Sequence, residues 1–222
     1  MKKLGIIGAM AVEIEELKKA MQSMTTHTQT GMEFYEGKLE GLAVVVVQCG
    51  IGKVNAAMCA QILCDCFEVT HLVNTGIAGS LCAELDIADL VISKDAIHHD
   101  FDLRFWGRPI GQVPGMEVVA FPADEEMIRR AYAAAEAINP GHTKMGRVAS
   151  GDQFICSAEQ KQKIIADTNA ICAEMEGASI AHTAYRNGIP FVSFELSPTR
   201  PMTVRKWIIP PLRHWQPSAV RR

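Results

Sequence analysis

Short apolar runs alternate along this chain with longer segments of helical period. Residues 4–7, 42–48, 71–75 and 90–93 read as strands, 144–149 leads into Ser150-Gly151-Asp152, and 190–192 starts a last strand. The run 42–48, Leu-Ala-Val-Val-Val-Val-Gln, is continuous and β-branched, as in a strand covered on both faces. Helical period appears over 11–21, 54–67, 125–138, 157–167 and 173–187. Asn139-Pro140-Gly141 stops the third helix and Gly188 closes the last. Strands alternating with helices predict an α/β fold, a mostly parallel sheet with helices on both faces. Ligands in such sheets sit at the carboxyl ends of the strands, and the turns at Gly50-Ile51-Gly52-Lys53 and Gly76-Ile77-Ala78-Gly79 fall there.

Composition narrows the class. The 222 residues suit one sizeable core, and a net charge of −3 with 48% hydrophobic residues points to neither nucleic acid nor a membrane surface. Two lysines precede the first apolar run, but Glu13 and Glu15 cut it short, so it reads as a strand rather than a signal peptide. No run approaches the roughly eighteen apolar residues of a membrane span. Seven cysteines, mostly within apolar segments, predict reduced packing thiols in a cytoplasmic protein, including the Cys64-Asp65-Cys66 pair, which has no further soft ligands near it.

The glycine clusters could let backbone approach a ligand closely, yet none is GxGxxG or a Walker loop, and each alone suits a plain strand-to-helix turn. The carboxylates say more. Glu13 follows the first strand on the side where a ligand would lie, whereas Glu15, Glu16 and Glu40 read as solvated. Glu174 and Glu176 stand two apart, so an extended lead-in to the last helix aims them the same way. One carboxylate can hold ribose hydroxyls and another can polarise water.

Five strings in order resemble the bacterial 5′-methylthioadenosine/S-adenosylhomocysteine nucleosidases. They are Gly5-Ile6-Ile7-Gly8-Ala9-Met10 with Glu13, Gly50 to Ala57, Asn74-Thr75-Gly76-Ile77-Ala78-Gly79, Ser150 to Ile155, and Glu174-Met175-Glu176. The resemblance covers residues 1–192. It implies the nucleoside phosphorylase/hydrolase fold, a twisted mixed sheet flanked by helices, in a homodimer that binds a small nucleoside and uses no cofactor or metal. It implies hydrolysis of an N-glycosidic bond, with Glu13 activating water and Glu176 holding the ribose and its developing cation. Phe154 would stack on adenine, the Ile155 backbone would hydrogen-bond it, and Met10, Ile51, Gly79, Glu174 and Met175 would complete the substrate pocket. Phe105 and Trp106 fall where a partner subunit would lend an aromatic, their plainer reading being loop packing. Some relatives carry a serine after Asn-Thr-Gly, where this chain has Ile77. Within the superfamily a phosphorylase is the competing reading, but the segment after Gly8 offers no arginine for phosphate.

The resemblance stops near Val192. The family closes its last core strand with Arg-Ala-Ile-Ser-Asp, whose aspartate protonates the leaving adenine. Here Ser193-Phe194-Glu195-Leu196-Ser197-Pro198-Thr199 follows, and no aspartate occurs after Asp167. Residues 193–222 hold six basic residues and one acid, an abrupt change of character that predicts a nucleosidase-like domain over 1–192 and an aberrant basic, proline-rich tail. Read one base out of frame, codons 194–199 permit Arg-Ala-Ile-Ser-Asp, so a one-base slip near codons 192–193 accounts for the tail. The expectations are a disrupted last strand and C-terminal helix, slow or absent turnover and poor solubility. A non-catalytic adenosine-binding protein is the alternative from another class, and a nucleic-acid-binding tail is a third.

Overall fold

The alternation of strands and helices is realised over residues 2–197, the part that the computed structural model describes. In chain order the elements are β1 (Lys3–Gly8), α1 (Ala11–Ala20), β2 (Gln22–Gln29), β3 (Met32–Leu39), β4 (Leu42–Gln48), α2 (Lys53–Phe67), β5 (His71–Ile77), β6 (Gly79–Ser80) and β7 (Leu90–His98). A 3-10 turn at Arg104–Trp106 follows, then β8 (Phe121–Pro122), α3 (Glu125–Ile138), β9 (Thr143–Ser150), α4 (Ala158–Thr168), β10 (Cys172–Glu174), α5 (Gly177–Asn187) and β11 (Phe191–Leu196).

The structure departs from the hydrophobic reading in several places: β7 runs on from the expected 90–93 to His98, the short strands β6 and β8 carried no signal, and two longer segments differ in kind. The pattern marks nothing between 22 and 41, where β2 and β3 form an antiparallel hairpin. β2 is an edge strand with mostly exposed side chains, so no buried alternation betrays it. The run 173–187 is not one helix. Cys172 to Glu174 pair as a strand with β9, and α5 begins only at Gly177.

The sheet order is β2-β3-β4-β1-β5-β11-β7-β9-β10-β6, with β8 on β7. It is mixed rather than mostly parallel. β4, β1, β5 and β11 run in one direction, and β7, β9 and β10 form a second parallel block that meets β11 antiparallel. After the single residue Ala78, β5 continues as β6, which pairs with β10 at the far end of the order. The sheet therefore curls round and closes on itself. That closure brings strand ends from the two opposed blocks to one place.

The core follows the sequence. Val44 to Val47 on β4 are fully buried, as a continuous β-branched strand with both faces covered should be. α2 packs against α5, whose buried face is built from Gly177, Ala178, Ser179, Ala181 and Ala184 around Ile180; these small residues let the helices approach. Cys49, Cys59 and Cys172 are packing thiols, but Cys66 and Cys156 are exposed, so the packing account does not extend to all seven.

β11 is a complete strand. All six residues are buried and paired in register with β5, Phe194 to Leu196 also pair with β7, and the Ser193 amide donates to Ser93 Oγ at 2.8 Å. The change in sequence character at Ser193 thus falls within a paired strand, which continues through Leu196. The expected loss of the C-terminal helix lies outside the described residues. Among the described residues no helix is long and apolar enough to cross a membrane.

Candidate active site

The converging strand ends enclose a cavity of about 550 Å³. Met10 and Glu13 reach it from beyond β1, Ile51 from beyond β4, Ile77 from the end of β5 and Gly79 from the start of β6. Gln153, Phe154 and Ile155 come from beyond β9, Glu174, Met175 and Glu176 from the β10–α5 junction, and Ser197 from beyond β11.

Glu13 lies in the first turn of α1 and is 2% exposed. Its Oε2 accepts the amides of Ala9 at 2.7 Å and Met10 at 2.9 Å, groups that a helix start leaves without intrahelical partners. Gly8 makes the turn possible, because a Cβ there would stand 2.7 Å from Ile14 Cγ2. Burial pushes the Glu13 carboxyl up to about 7; the two amides offset part of this and the charge of Glu176 adds to it.

Glu174 and Glu176 do not point the same way, because the chain leaves the strand between them. Glu176 has φ −130° and ψ −41° at the N-terminus of α5. Glu174 Oε2 accepts the amides of Glu176 and Gly177, each at 2.7 Å. Ser150 Oγ donates to Glu174 Oε1 and accepts the Ala178 amide at 2.6 Å. Glu174 and Ser150 thus satisfy the first amides of α5, and the helix dipole favours the negative charge there. Glu176 turns the other way, and its Oε1 accepts the Gly52 amide at 2.5 Å. Burial raises both carboxyls above the ordinary range. The charge of Glu176 adds to the effect at Glu174, and the Gly52 amide counters it at Glu176.

All nine residues expected at the nucleoside itself, Met10, Glu13, Ile51, Gly79, Phe154, Ile155, Glu174, Met175 and Glu176, line this cavity. Phe105 and Trp106 do not. They sit on the 3-10 turn, 98% and 71% exposed, so loop packing does not describe them.

Sequence reasoning missed a polar layer next to the cavity. Glu195 on β11 is 1% exposed, and its Oε1 accepts Asn74 Nδ2 at 2.8 Å and Ser193 Oγ at 2.5 Å. Its Oε2 has no hydrogen-bond partner. Burial, then the charge of Glu174, holds this carboxyl well above its ordinary value. The available signal was that Glu195 is the single acid in the last thirty residues. Leu85, Ile87, Ser80 and Lys161 also line the cavity and carried no signal of their own.

Comparison with known proteins gives the family and agrees with the fold. The model of the phosphorylase superfamily matches residues 3–197. The 5′-methylthioadenosine/S-adenosylhomocysteine nucleosidase of Pseudoalteromonas translucida is 40% identical over 190 residues, covering 85% of this chain and 80% of its own length. The nucleosidase of the same name from Staphylococcus aureus is also 40% identical over 190 residues, covering 85% and 82%. Among solved structures, the Neisseria meningitidis nucleosidase in complex with methylthio-immucillin-A superposes with a TM-score of 0.91 at 31% identity, covering 96% of this chain and all of that one.

Proposed function

The chain belongs to the 5′-methylthioadenosine/S-adenosylhomocysteine nucleosidase family, and from that membership we propose that it hydrolyses the N-glycosidic bond of these two nucleosides, releasing adenine and the thioribose product. The observation that carries the reading is the pair Glu13 and Glu176, two buried carboxylates reaching one ligand-sized cavity from different strand ends. Glu13, with a carboxyl near 7, takes a proton from the attacking water at neutral pH. Glu176 accepts the ribose hydroxyls. Both charges favour an oxocarbenium-like transition state over the neutral ground state. Phe154 stacks on the purine, the Ile155 backbone hydrogen-bonds it, and Met10, Ile51, Gly79 and Met175 pack around the nucleoside. Glu174 acts from its seat on the α5 amides.

Water is the nucleophile rather than phosphate. Among the described residues lining the cavity, Lys161 is the single cation and none is an arginine. The test is adenine release from 5′-methylthioadenosine in phosphate-free buffer, followed by chromatography with phosphate added. Adenine without a sugar phosphate is expected; a strict phosphate requirement overturns the reading.

The sequence beyond Val192 limits the rate. It has no aspartate to protonate the leaving purine, and a positioned general acid contributes roughly 10²–10⁴-fold. This chain therefore turns over slowly or not at all, and a one-base slip in its gene near codons 192–193 accounts for the loss. Resequencing codons 188–204 decides whether Arg-Ala-Ile-Ser-Asp is encoded in the neighbouring frame. The same missing aspartate favours a second reading, adenosine-like binding without turnover, which calorimetry alongside the adenine assay separates from the first. The exposed rings of Phe105 and Trp106, outside the cavity of their own chain, support a homodimer in which they close the partner's pocket. Sedimentation analysis tests this.

A further inference from the structure

Three residues outside the cavity form a closed ring of hydrogen bonds between three strand ends. The Lys53 amide, in the first turn of α2, donates to Asp152 Oδ1 at 2.8 Å. The Asp152 amide, beyond β9, donates to Asp100 Oδ2 at 2.9 Å. Asp100, beyond β7, accepts Lys53 Nζ on Oδ1 at 2.6 Å, and these two side chains are 16% and 22% exposed. Both oxygens of Asp100 are engaged, one on each neighbouring loop.

Each of those loops also carries cavity residues, Ile51 two positions before Lys53 and Gln153 directly after Asp152. Gly52, next to Lys53, gives its amide to Glu176. Gln153, Phe154 and Ile155 follow Asp152 directly. Two successive amides at the start of α2 thus hold carboxylates from two different loops, Glu176 on one and Asp152 on the other. A helix N-terminus suits both, and Lys53 Nζ adds a third tie through Asp100.

We infer that Asp100 and Lys53 are positioning residues that set the ribose carboxylate Glu176 and the purine loop 153–155 in register with each other. None of the three ring residues lines the cavity, so their effect passes through Gly52 and through the loop after Asp152. A rigid ring lowers the entropy lost when a ligand must meet both halves at once. The inference rests on the nucleoside-binding reading above for what occupies the cavity, but the coupling between the loops can be read without any ligand.

The experiment uses the full chain with Lys53→Met, Asp100→Ala, the double variant and Lys53→Arg. Hydrogen exchange is followed across residues 50–53 and 151–156, and adenine affinity is measured by calorimetry. Lys53→Met changes only a side chain on α2, yet it should speed exchange in 151–156 and weaken adenine roughly tenfold. Asp100→Ala should do the same, the double variant should add little, and Lys53→Arg should recover most of the affinity. A mere loss of stability would lower the unfolding midpoint while leaving adenine affinity and the two segments' exchange, relative to the rest of the chain, unchanged; that result overturns the inference. If the unaltered chain binds no adenine, the nucleoside reading fails, and the exchange of 151–156 in Lys53→Met still decides whether the ring couples the loops.

Discussion

Asn74 on β5 donates its side-chain amide to Glu195 on β11 at 2.8 Å, and both side chains are buried. The same amide reaches Ser193 Oγ at 3.0 Å, so Asn74, Ser193 and Glu195 form a small polar knot between two core strands. The knot leaves one carboxylate oxygen without a partner, next to the charges of Glu174, Glu13 and Glu176.

Glu195→Gln should stabilise the protein at neutral and alkaline pH. The amide keeps an acceptor for Asn74 and Ser193 and removes a charge that burial opposes. The folded-state carboxyl is raised, so the folded state binds more protons than the unfolded one above the ordinary value. Stability is then fullest in acid and falls as pH rises from the ordinary carboxylate range towards the raised one. Urea unfolding should show a gain of about 2 kcal/mol at pH 8 and little gain near pH 4.5. An equal effect at both pH values would show that Glu195 carries no proton-linked strain.

Gly76→Ala should be destabilising because of Glu195. A Cβ on Gly76 would lie 2.8 Å from Glu195 Oε2, inside contact distance between two paired strands. The expected loss is about 2 kcal/mol, the scale of an overpacked core. Adding Glu195→Ala should relieve it, with a coupling of about 1 kcal/mol in a double-mutant cycle. Strict additivity would place the strain elsewhere.

Glu13→Gln should reduce adenine release by roughly 10²–10⁴-fold, the contribution of a positioned base, while leaving adenine binding near normal. As a base Glu13 must be ionised, so kcat/KM should rise with pH and level off above about 7. The stability sign is opposite. The raised carboxyl favours the folded state below 4.5, and that advantage falls by roughly 3 kcal/mol as pH climbs to about 7. A profile that is flat from pH 5 to 8 would remove Glu13 from the base role. These rates are best measured also in a chain carrying the neighbouring-frame ending.

Ser150→Ala should cost about 1–3 kcal/mol on thermal or urea unfolding. It leaves Oε1 of Glu174 without its donor and the Ala178 amide without its acceptor, both in buried surroundings. Ser150→Thr keeps the hydroxyl and should retain more stability if space allows; a neutral alanine variant would mean that water takes over both bonds.

Legibility varied with the kind of residue. Glu13 was legible as a carboxylate just past a predicted strand and Glu176 as one in the extended lead-in to a helix, whereas the loop 153–155 stood out only through the family resemblance. Glu195 was not, because a carboxylate inside a core strand looks out of place until Asn74 and Ser193 are seen beside it. The β2–β3 hairpin was hidden by exposure: an edge strand buries too little to need alternation. The break between Glu174 and Gly177 was hidden by helix-compatible small residues. It is made by the Glu174 and Ser150 side chains, which take the amides that a longer helix would have used.

The sequence by itself marked where the core strands lie, the glycine turns after several of them, and the carboxylates near those turns, since these follow from local sterics and periodicity; it stopped short of the ends of β7 at His98 and β11 at Leu196. It did not determine that two parallel blocks run in opposite directions, or that their ends meet. That was decided when β5 passed through Ala78 into β6 and β6 paired with β10, curling the sheet on itself. Only then do Glu13 from one block and Glu176 from the other face a common cavity, because hydrogen bonding across distant chain segments, not local preference, sets the register of a closing sheet.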